Sequence, residues 1–236
     1  MTKILMVVSG ADHLTLGDGT AHPTGYWAEE VAVSHRVLRE AGFDVDISTP
    51  GGVHPTVDPI SLDERGGVDE AAAKGFRAYL DSLSDELAMP LPLADASADD
   101  YDAVYIPGGH GPMEDLAFDP DLGRLLTALD RRGKVVAALC HGPAGLLSAS
   151  DGDVFPFAGR KLTVFTNEEE QQGGLGDAVP YFVESRLREL GGLVEIGPAW
   201  SVKVVVDGNL VTGQNPQSSA DTAGQVVEAL KVRSAA

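Results

Sequence analysis

Short apolar runs alternate along the chain with longer stretches in which apolar residues recur every three or four positions. The runs are bounded by Gly, Pro, Asn or Asp, which is typical of buried strands, and the longer stretches have the period of amphipathic helices. The predicted strands are residues 3–8, 44–48, 101–106, the run that ends at Leu139, 161–165, 202–206 and 209–212. The predicted helices are residues 26–41, with Gly42 as C-cap, 68–82, 121–131, 179–190 and 218–232.

This alternation of strands and helices predicts a mostly parallel sheet with helices on both faces. Asp207 and Gly208 separate the last two strands and form the clearest hairpin signal in the chain. The stretches 52–69 and 83–99 lack a regular period and are predicted to be excursions from one domain that spans residues 1–236. In such sheets the functional site lies at the carboxyl ends of the strands.

Composition narrows the class of protein and its surroundings. The 236 residues, 43% of them hydrophobic, suffice for one sizeable core. The net charge of −19 disfavours nucleic acids and anionic membranes as partners, because its field repels both. The run at residues 3–8 is too short for a signal peptide, and no run reaches the length of a membrane span. A single cysteine excludes an intrachain disulfide and suits a reducing compartment, so we expect a cytoplasmic protein.

That cysteine, Cys140, stands where a predicted buried strand meets a turn. His141, Gly142 and Pro143 follow it, and then small residues that predict a helix. A nucleophile at a strand-to-helix turn is exposed near backbone N–H groups and a helix N-terminus, which favour negative charge. These features predict a reactive thiol with a lowered pKa. The alternative is that Cys140 is a small core residue, as most lone cysteines are.

The loop 107–111 follows another predicted strand at the same edge. Its glycines allow backbone N–H groups to approach a ligand, so Gly109 and the amide of His141 are candidate oxyanion donors. An ordinary glycine-rich turn would have the same sequence. We expect His110 of this loop and Trp27 to line the substrate pocket, and no Arg or Lys to clamp an anion there, since the neighbouring segments offer no basic residue.

Two adjacent glutamates begin the first predicted helix. Helical spacing directs Glu30 toward the core and Glu29 toward solvent. Burial raises the pKa of a carboxyl group, which would suit Glu30 for proton transfer at neutral pH. The alternative is that both are solvated residues of the first turn, where the helix dipole favours them.

Histidines and a run of acidic residues complete the set of candidate groups. His141 is adjacent to Cys140, and the tight turn would let both line one site. Any of Glu168, Glu169 and Glu170 could orient this histidine, although a solvated charge run explains at least two of them equally well. The other histidines show no metal-binding spacing, so we expect no metal.

Five segments, in this order and spacing, resemble one protein family. They resemble the ThiJ/PfpI superfamily, also called class I glutamine-amidotransferase-like, and within it the branch of heat-shock chaperones and glutathione-independent glyoxalases (glyoxalase III). The segments are residues 24–30 (TGYWAEE), 107–111 (PGGHG), 138–143 (ALCHGP), 174–184 (GLGDAVPYFVE) and 210–219 (LVTGQNPQSS).

The resemblance implies a flavodoxin-like three-layer α/β sandwich with the nucleophile at a strand-helix turn, and a homodimer. It implies Cys140 as nucleophile, His141 as its neighbouring histidine, Glu30 as the helix-borne acid and Gly109 as the oxyanion glycine. The carboxylate that orients the histidine would lie within residues 168–170. Some members of the superfamily bind a metal near this site, but their metal-binding residues have no clear counterpart in this sequence. No cofactor is expected.

The function that follows is that of a glyoxalase III, a D-lactate dehydratase-type lyase, which converts methylglyoxal or another 2-oxoaldehyde to lactate. Glycated proteins, through a deglycase activity, and unfolded proteins are further expected partners. A peptidase or amidase of the PfpI type would use the same Cys–His pair. A glutaminase is disfavoured because no His-x-Glu pair follows Cys140. A non-enzymatic holdase or redox sensor is the third alternative.

Overall fold

The computed structural model describes residues 2–152, 154–173 and 175–234. The strands are β1 Lys3–Val7, β2 His13–Thr15, β3 Ala21–Pro23, β4 Asp44–Thr49, β5 Leu91–Pro92, β6 Ala103–Ile106, β7 Val135–Leu139, β8 Lys161–Leu162, β9 Leu193–Val194, β10 Val204–Asp207 and β11 Leu210–Gly213. The helices are α1 Ala28–Glu40, α2 Glu70–Ser82, α3 Ser84–Ala88, α4 Gly111–Glu114, α5 Pro120–Arg131, α6 Asn167–Gln172, α7 Val183–Glu189 and α8 Ser219–Ser234.

Within the described residues, the central sheet has seven strands in the order β10-β11-β7-β6-β1-β4-β5. All neighbours are parallel except β10 and β11, which form the antiparallel hairpin expected from Asp207 and Gly208. The predicted flavodoxin-like α/β architecture is confirmed. β6 and β7 lie side by side, so the loops that follow them meet at one edge of the sheet.

Two apolar layers enclose this sheet, one on each face. Successive side chains of β1 alternate between them: Ile4 and Met6 pack with α1 and α8, whereas Leu5 and Val7 pack with α5. A strand buried on both faces needs apolar residues at every position, which explains the continuous apolar runs in the sequence. Among the described residues, no helix is long and apolar enough to cross a membrane.

Several predicted elements differ from the observed ones. The strand predicted for 161–165 ends at Leu162, because the next backbone groups bond to side chains and to the cysteine turn rather than to a strand. The helix predicted for 179–190 begins only at Val183, since Val179 precedes a proline and is extended. A 3-10 helix, Gly142–Ala149, replaces the helix predicted after Cys140.

The two predicted excursions behave differently. The first remains irregular, with short 3-10 helices at Pro50–Gly52, Pro59–Leu62 and Glu64–Gly66. The second contains α3 and the edge strand β5, so it belongs to the sheet domain and the expectation of an irregular excursion is wrong there.

Candidate active site

Cys140 occupies a sharp turn directly after β7. Its φ of 58° lies in the left-handed region, which is uncommon for a residue with a side chain. The Cys140 amide donates to the Gly213 carbonyl at 3.0 Å, and its carbonyl accepts from the Phe165 amide at 2.9 Å. A Cβ at Gly142 would overlap the Ile106 carbonyl, so only glycine lets the chain leave the turn this close to β6. Neighbouring backbone therefore holds the strained turn in place.

Glu30 reaches the same edge because the start of α1 is pinned to the loop after β6. The Trp27 amide donates to the Gly108 carbonyl at 3.0 Å, and the Ala28 amide donates to Ser61 Oγ at 3.0 Å. Glu30 is fully buried in the first helical turn, and its Oε2 accepts from the Gly108 amide at 2.6 Å. The expected inward orientation of Glu30 is confirmed, and Glu29 is half-buried beside it.

Burial dominates the electrostatics of this carboxyl group. It raises the pKa of Glu30 to about 8, although the Gly108 amide and the neighbouring Cys140 thiol oppose the rise. Burial also raises the pKa of Glu29, to about 7. Within the described residues, Glu30 Oε1 is buried and has no hydrogen-bond partner. An oxygen without a partner next to a thiol is free to exchange a proton with a bound molecule.

The Cys140 thiol is 2% exposed and lies between Glu30 and His141. Burial, with the Glu30 carboxylate adding to it, raises the pKa of Cys140 well above its ordinary value; the His141 amide offsets only part of this. The expectation of an acidic thiol is therefore wrong for the free protein, because desolvation outweighs the helix N-terminus. A protonated thiol needs a base, and His141 Nδ1 lies 3.4 Å from Sγ.

Of the three candidate glutamates, Glu170 contacts the histidine. Its Oε2 lies 2.7 Å from His141 Nε2, and its Oε1 lies 3.0 Å from His110 Nε2. Glu169 instead closes a capping box with Thr166 at the start of α6, and Glu168 is exposed. The structure thus brings Glu170 to the His141 side of the site and leaves the other two outside it.

These contacts also determine which nitrogen of His141 carries the proton. Burial alone would raise the pKa of Glu170, but the contacts with His141 and His110 outweigh it and lower the pKa, so the group is a carboxylate. A carboxylate only accepts, so His141 must donate from Nε2. Burial and the nearby His110 lower the pKa of His141, which leaves a neutral ring with its lone pair on Nδ1, toward the thiol.

The two expected oxyanion donors are the amides of Gly109 and His141, and both residues line the same cavity as Cys140. Gly109 has a φ of +91°, and a Cβ there would lie 2.7 Å from the Trp27 amide nitrogen, so the loop requires glycine. In the part of the chain that the structure describes, the Gly109 amide donates to no protein atom. The His141 amide lowers the pKa of the Cys140 thiol, although burial outweighs this effect. Both N–H groups remain candidates for binding a developing oxyanion.

A cavity of about 550 Å³ opens onto the Cys140 sulfur. Trp27, Gly109 and His110 line it as expected, together with Phe165 and Trp200. Part of the first excursion, from Asp58 to Gly67, forms one wall, whereas no residue of the second excursion lines the cavity.

One residue of the cavity wall bears on the expectation that no Arg or Lys clamps an anion there. Arg65, in the first excursion, lines it. One edge of its guanidinium, Nε and Nη2, donates to the Asp63 carboxylate, which pairs the two charges. The cavity therefore contains a basic side chain without an anion clamp.

Family membership follows from comparison with known proteins. Residues 23–229 match the model of the DJ-1/PfpI family, which covers every side chain of the site. The chain belongs to the DJ-1/PfpI family. The resemblance to the ThiJ/PfpI superfamily inferred from the five sequence segments is thereby confirmed.

Several known proteins are similar to this chain over most of their length. The Protein/nucleic acid deglycase HchA of Pseudomonas aeruginosa is 29% identical, over 92% of this chain and 77% of its own. The glutathione-independent glyoxalase HSP31 of Saccharomyces cerevisiae is 29% identical, over 97% of this chain and 98% of its own. The crystal structure of glyoxalase III from Candida albicans is 26% identical and superposes with a TM-score of 0.83, covering 97% of each chain.

One group of side chains in this DJ-1/PfpI site has donors close enough to hold a metal ion. Ligand atoms of His110, His141 and Glu170 lie within 4.8 Å of one another. Two imidazoles and a carboxylate suit ions such as Zn²⁺. No spacing in the sequence indicated this group, because its members come from three separate segments: the loop after β6, the turn after β7, and α6. The hydrogen bonds from both histidines to Glu170 also account for the arrangement.

Sequence reasoning missed two residues at this site, Phe165 and Trp200, and also the structural role of Glu169. The Phe165 ring lies 4.4 Å from that of His141, and Trp200 packs edge-on against Phe165. A usable signal existed for Glu169, since Thr166 followed three residues later by glutamate is a capping-box pattern. That pattern engages Glu169 at the helix start and leaves Glu170 available one position later.

Proposed function

We propose that the protein is a glutathione-independent, glyoxalase III-type enzyme that converts methylglyoxal and related 2-oxoaldehydes to 2-hydroxy acids. The observation that carries the proposal is the position of the Cys140 sulfur, between the Glu30 carboxyl and His141 Nδ1 and open to a cavity. This arrangement offers Cys140 as a nucleophile, His141 as a base for its thiol, and Glu30 as a separate group that can move a proton between carbon atoms.

The first step is addition of the thiol to the aldehyde carbon. His141 Nδ1 takes the thiol proton as the C–S bond forms, and Glu170 stabilises the resulting imidazolium through its bond to Nε2. The former carbonyl oxygen accepts hydrogen bonds from the Gly109 and His141 amides and then takes the proton from His141. The product is a hemithioacetal.

The second step moves a proton between two carbons. Glu30, as a carboxylate, removes the proton from the carbon bonded to sulfur, which gives an enediolate, and returns it to the neighbouring carbon, while the hydroxyl proton passes from the oxygen of the first carbon to the oxygen of the second. A pKa of about 8 makes Glu30 basic enough for this task near neutral pH. The result is the Cys140 thioester of the 2-hydroxy acid.

The last step is hydrolysis. Water, activated by His141, attacks the thioester carbonyl, the sulfur leaves, and the thiol regains its proton. The sum is one 2-oxoaldehyde and one water giving one 2-hydroxy acid, with no change of net oxidation state. This series of reaction steps therefore requires neither glutathione nor a redox cofactor.

The similar proteins named glyoxalase and deglycase support this chemistry, because both names denote action on 2-oxoaldehydes or their adducts. A deglycase activity on proteins would use the same thiol, which would displace the amine of the glycated side chain from the former aldehyde carbon; the proton transfer and the hydrolysis would then follow unchanged. The net charge of −19 argues against glycated nucleic acids as substrates of this chain. The wall formed by Asp58 to Gly67 supports small substrates over the extended peptide that a peptidase must hold.

The experiment is incubation of the purified protein with methylglyoxal, without glutathione, and detection of lactate. Cys140→Ser should abolish turnover, and Glu30→Gln should lower it about 100-fold or more, as expected for a lost general base. Glu29→Gln is the matched control, since Glu29 is adjacent and half-buried but does not contact the thiol. Equal losses from the two glutamine variants would contradict the role of Glu30, and casein cleavage without lactate would favour a peptidase.

A further inference from the structure

Trp200 has a backbone conformation that its side chain does not favour. Among the described residues, Cys140 and Trp200 are the non-glycine residues with positive φ, and the value for Trp200 is 62°. The turn after β7 accounts for Cys140, whereas Trp200 lies in the loop between β9 and β10. A bulky residue in this region is a genuine outlier that persists only where its surroundings hold it.

A buried glutamate holds this loop. Glu169 is fully buried, and its Oε1 accepts from the Trp200 amide at 2.8 Å and from Asn215 Nδ2 at 2.8 Å. The indole N–H of Trp200 donates to Gln172 Oε1 at 2.5 Å. Backbone and ring are thus anchored separately, both to α6, which fixes the direction of the indole.

The anchored indole faces the cavity over Cys140. Its centroid lies 5.5 Å from that of Phe165, at 71°, and Phe165 lies 4.4 Å from His141. All three rings line the cavity that contains the sulfur, and Trp200 remains 39% exposed. The indole therefore forms part of the cavity wall, and Phe165 lies between it and His141.

The size of this cavity exceeds what methylglyoxal requires. A volume of about 550 Å³ lies in the range of pockets that enclose drug-sized ligands, whereas methylglyoxal has only a methyl group beyond its two carbonyls. Arg65, which lines this cavity, is paired through Nε and Nη2 with the Asp63 carboxylate. The remaining space is suited to a neutral, apolar substituent.

We infer that Phe165 and Trp200 form an aryl subsite, and that the preferred substrates are 2-oxoaldehydes with an aromatic substituent on the ketone carbon. The inference rests on the proposed function and specifies its substrate class. With phenylglyoxal the thiol adds to the aldehyde carbon, the proton moves to the carbon that bears the ring, and water releases mandelate. The ring reacts with nothing and packs against Phe165 and Trp200 in edge-to-face contact.

The test compares kcat/KM for phenylglyoxal and methylglyoxal in the wild type, Trp200→Gly and Trp200→Phe. Glycine suits the positive φ, so Trp200→Gly removes the ring while keeping the backbone conformation. Phe118→Ala is the matched control, because Phe118 is an exposed aromatic residue that does not line the cavity.

We expect the wild type to prefer phenylglyoxal by about tenfold or more, and Trp200→Gly to lower that preference about fivefold to tenfold, the scale of one aromatic contact. Trp200→Phe should restore most of it, and Phe118→Ala should leave it unchanged. A preference unaffected by Trp200→Gly, or a wild type that prefers methylglyoxal, would overturn the aryl subsite.

Binding of acetophenone, which is neutral and does not react with thiols, separates this inference from the proposed function. If neither aldehyde is turned over, the glyoxalase proposal fails. The subsite then stands if Trp200→Gly weakens acetophenone binding by the same fivefold to tenfold, and it is refuted if the two Kd values agree.

Discussion

The three consecutive glutamates 168–170 allow a sharp test, because the structure assigns a different environment to each. Glu168 is exposed and bonds Gln172, Glu169 is a buried structural carboxylate, and Glu170 bonds two histidines. Replacing each in turn by glutamine keeps the size of the side chain and removes one charge. If the geometry governs function, the three variants should affect different properties of the protein.

Glu170→Gln should lower activity through His141. A carboxylate accepts from both histidines, whereas an amide has one acceptor oxygen and one donor nitrogen. The amide N–H of the variant would then point at the N–H of one histidine. That histidine would have to move its proton to the other ring nitrogen. In His141 this change moves the proton to Nδ1, the nitrogen 3.4 Å from the thiol, which then cannot take the thiol proton.

The magnitude follows from the bonds lost. A hydrogen bond to a charged group contributes about 1.5–3 kcal/mol, and 1.36 kcal/mol corresponds to a factor of ten in rate. We therefore expect Glu170→Gln to lower kcat/KM for methylglyoxal about 10- to 150-fold. Glu168→Gln, the matched exposed control, should remain within twofold of the wild type.

Glu169→Gln should instead affect stability. Its two oxygens accept from Thr166, Trp200, Gln214 and Asn215, and an amide nitrogen would leave at least two of these buried donors without an acceptor. Each unsatisfied donor costs about 1–3 kcal/mol, and 1 kcal/mol shifts Tm by about 2–4 °C in a protein of this size. A Tm lower by roughly 4 °C or more is expected. The assays are initial-rate lactate formation and thermal unfolding; a Glu170→Gln variant within threefold of wild-type activity, or a Glu168→Gln variant equally impaired, would refute the reasoning.

Three further predictions concern the protonation of Glu30 and Cys140, which are both buried. Because Glu30 must be ionised to act as a base and its pKa is raised to about 8, kcat/KM should increase with pH through about 8; a pH profile already flat at pH 6 would contradict this assignment. The raised pKa also means that protonated Glu30 stabilises the folded state and ionised Glu30 does not. This contribution to the free energy of unfolding is fully present below pH 4.5 and is lost as the pH rises through about 8, by about 5 kcal/mol in all. Urea unfolding should therefore show Glu30→Gln gaining stability relative to the wild type between pH 6 and 9, and a constant difference would exclude a raised pKa. Finally, since burial raises the pKa of Cys140, iodoacetamide should inactivate the protein with a midpoint above pH 9; rapid labelling at pH 7 would show that the thiolate forms readily.

Much of the fold could be predicted from the sequence because strands and helices have different hydrophobic periods. Strands buried on both faces leave continuous apolar runs, as in β1, β6 and β7, and the Asp207-Gly208 turn marks the hairpin of β10 and β11. Elements with weak local signals were missed or misplaced. β5 is a two-residue edge strand, and the segment after Leu162 is held by side-chain bonds that have no period.

The sequence by itself determined the chemistry available to this DJ-1/PfpI protein: one thiol at a turn, a neighbouring histidine and a glutamate on the inner face of the first helix. Those properties follow from local spacing and residue type, which the order of the chain records. Only the tertiary structure decided how these groups are protonated, because desolvation depends on the atoms that surround a group. It also selected Glu170 among three adjacent glutamates, and it placed Trp200, remote in sequence from Cys140, in the wall of the same cavity.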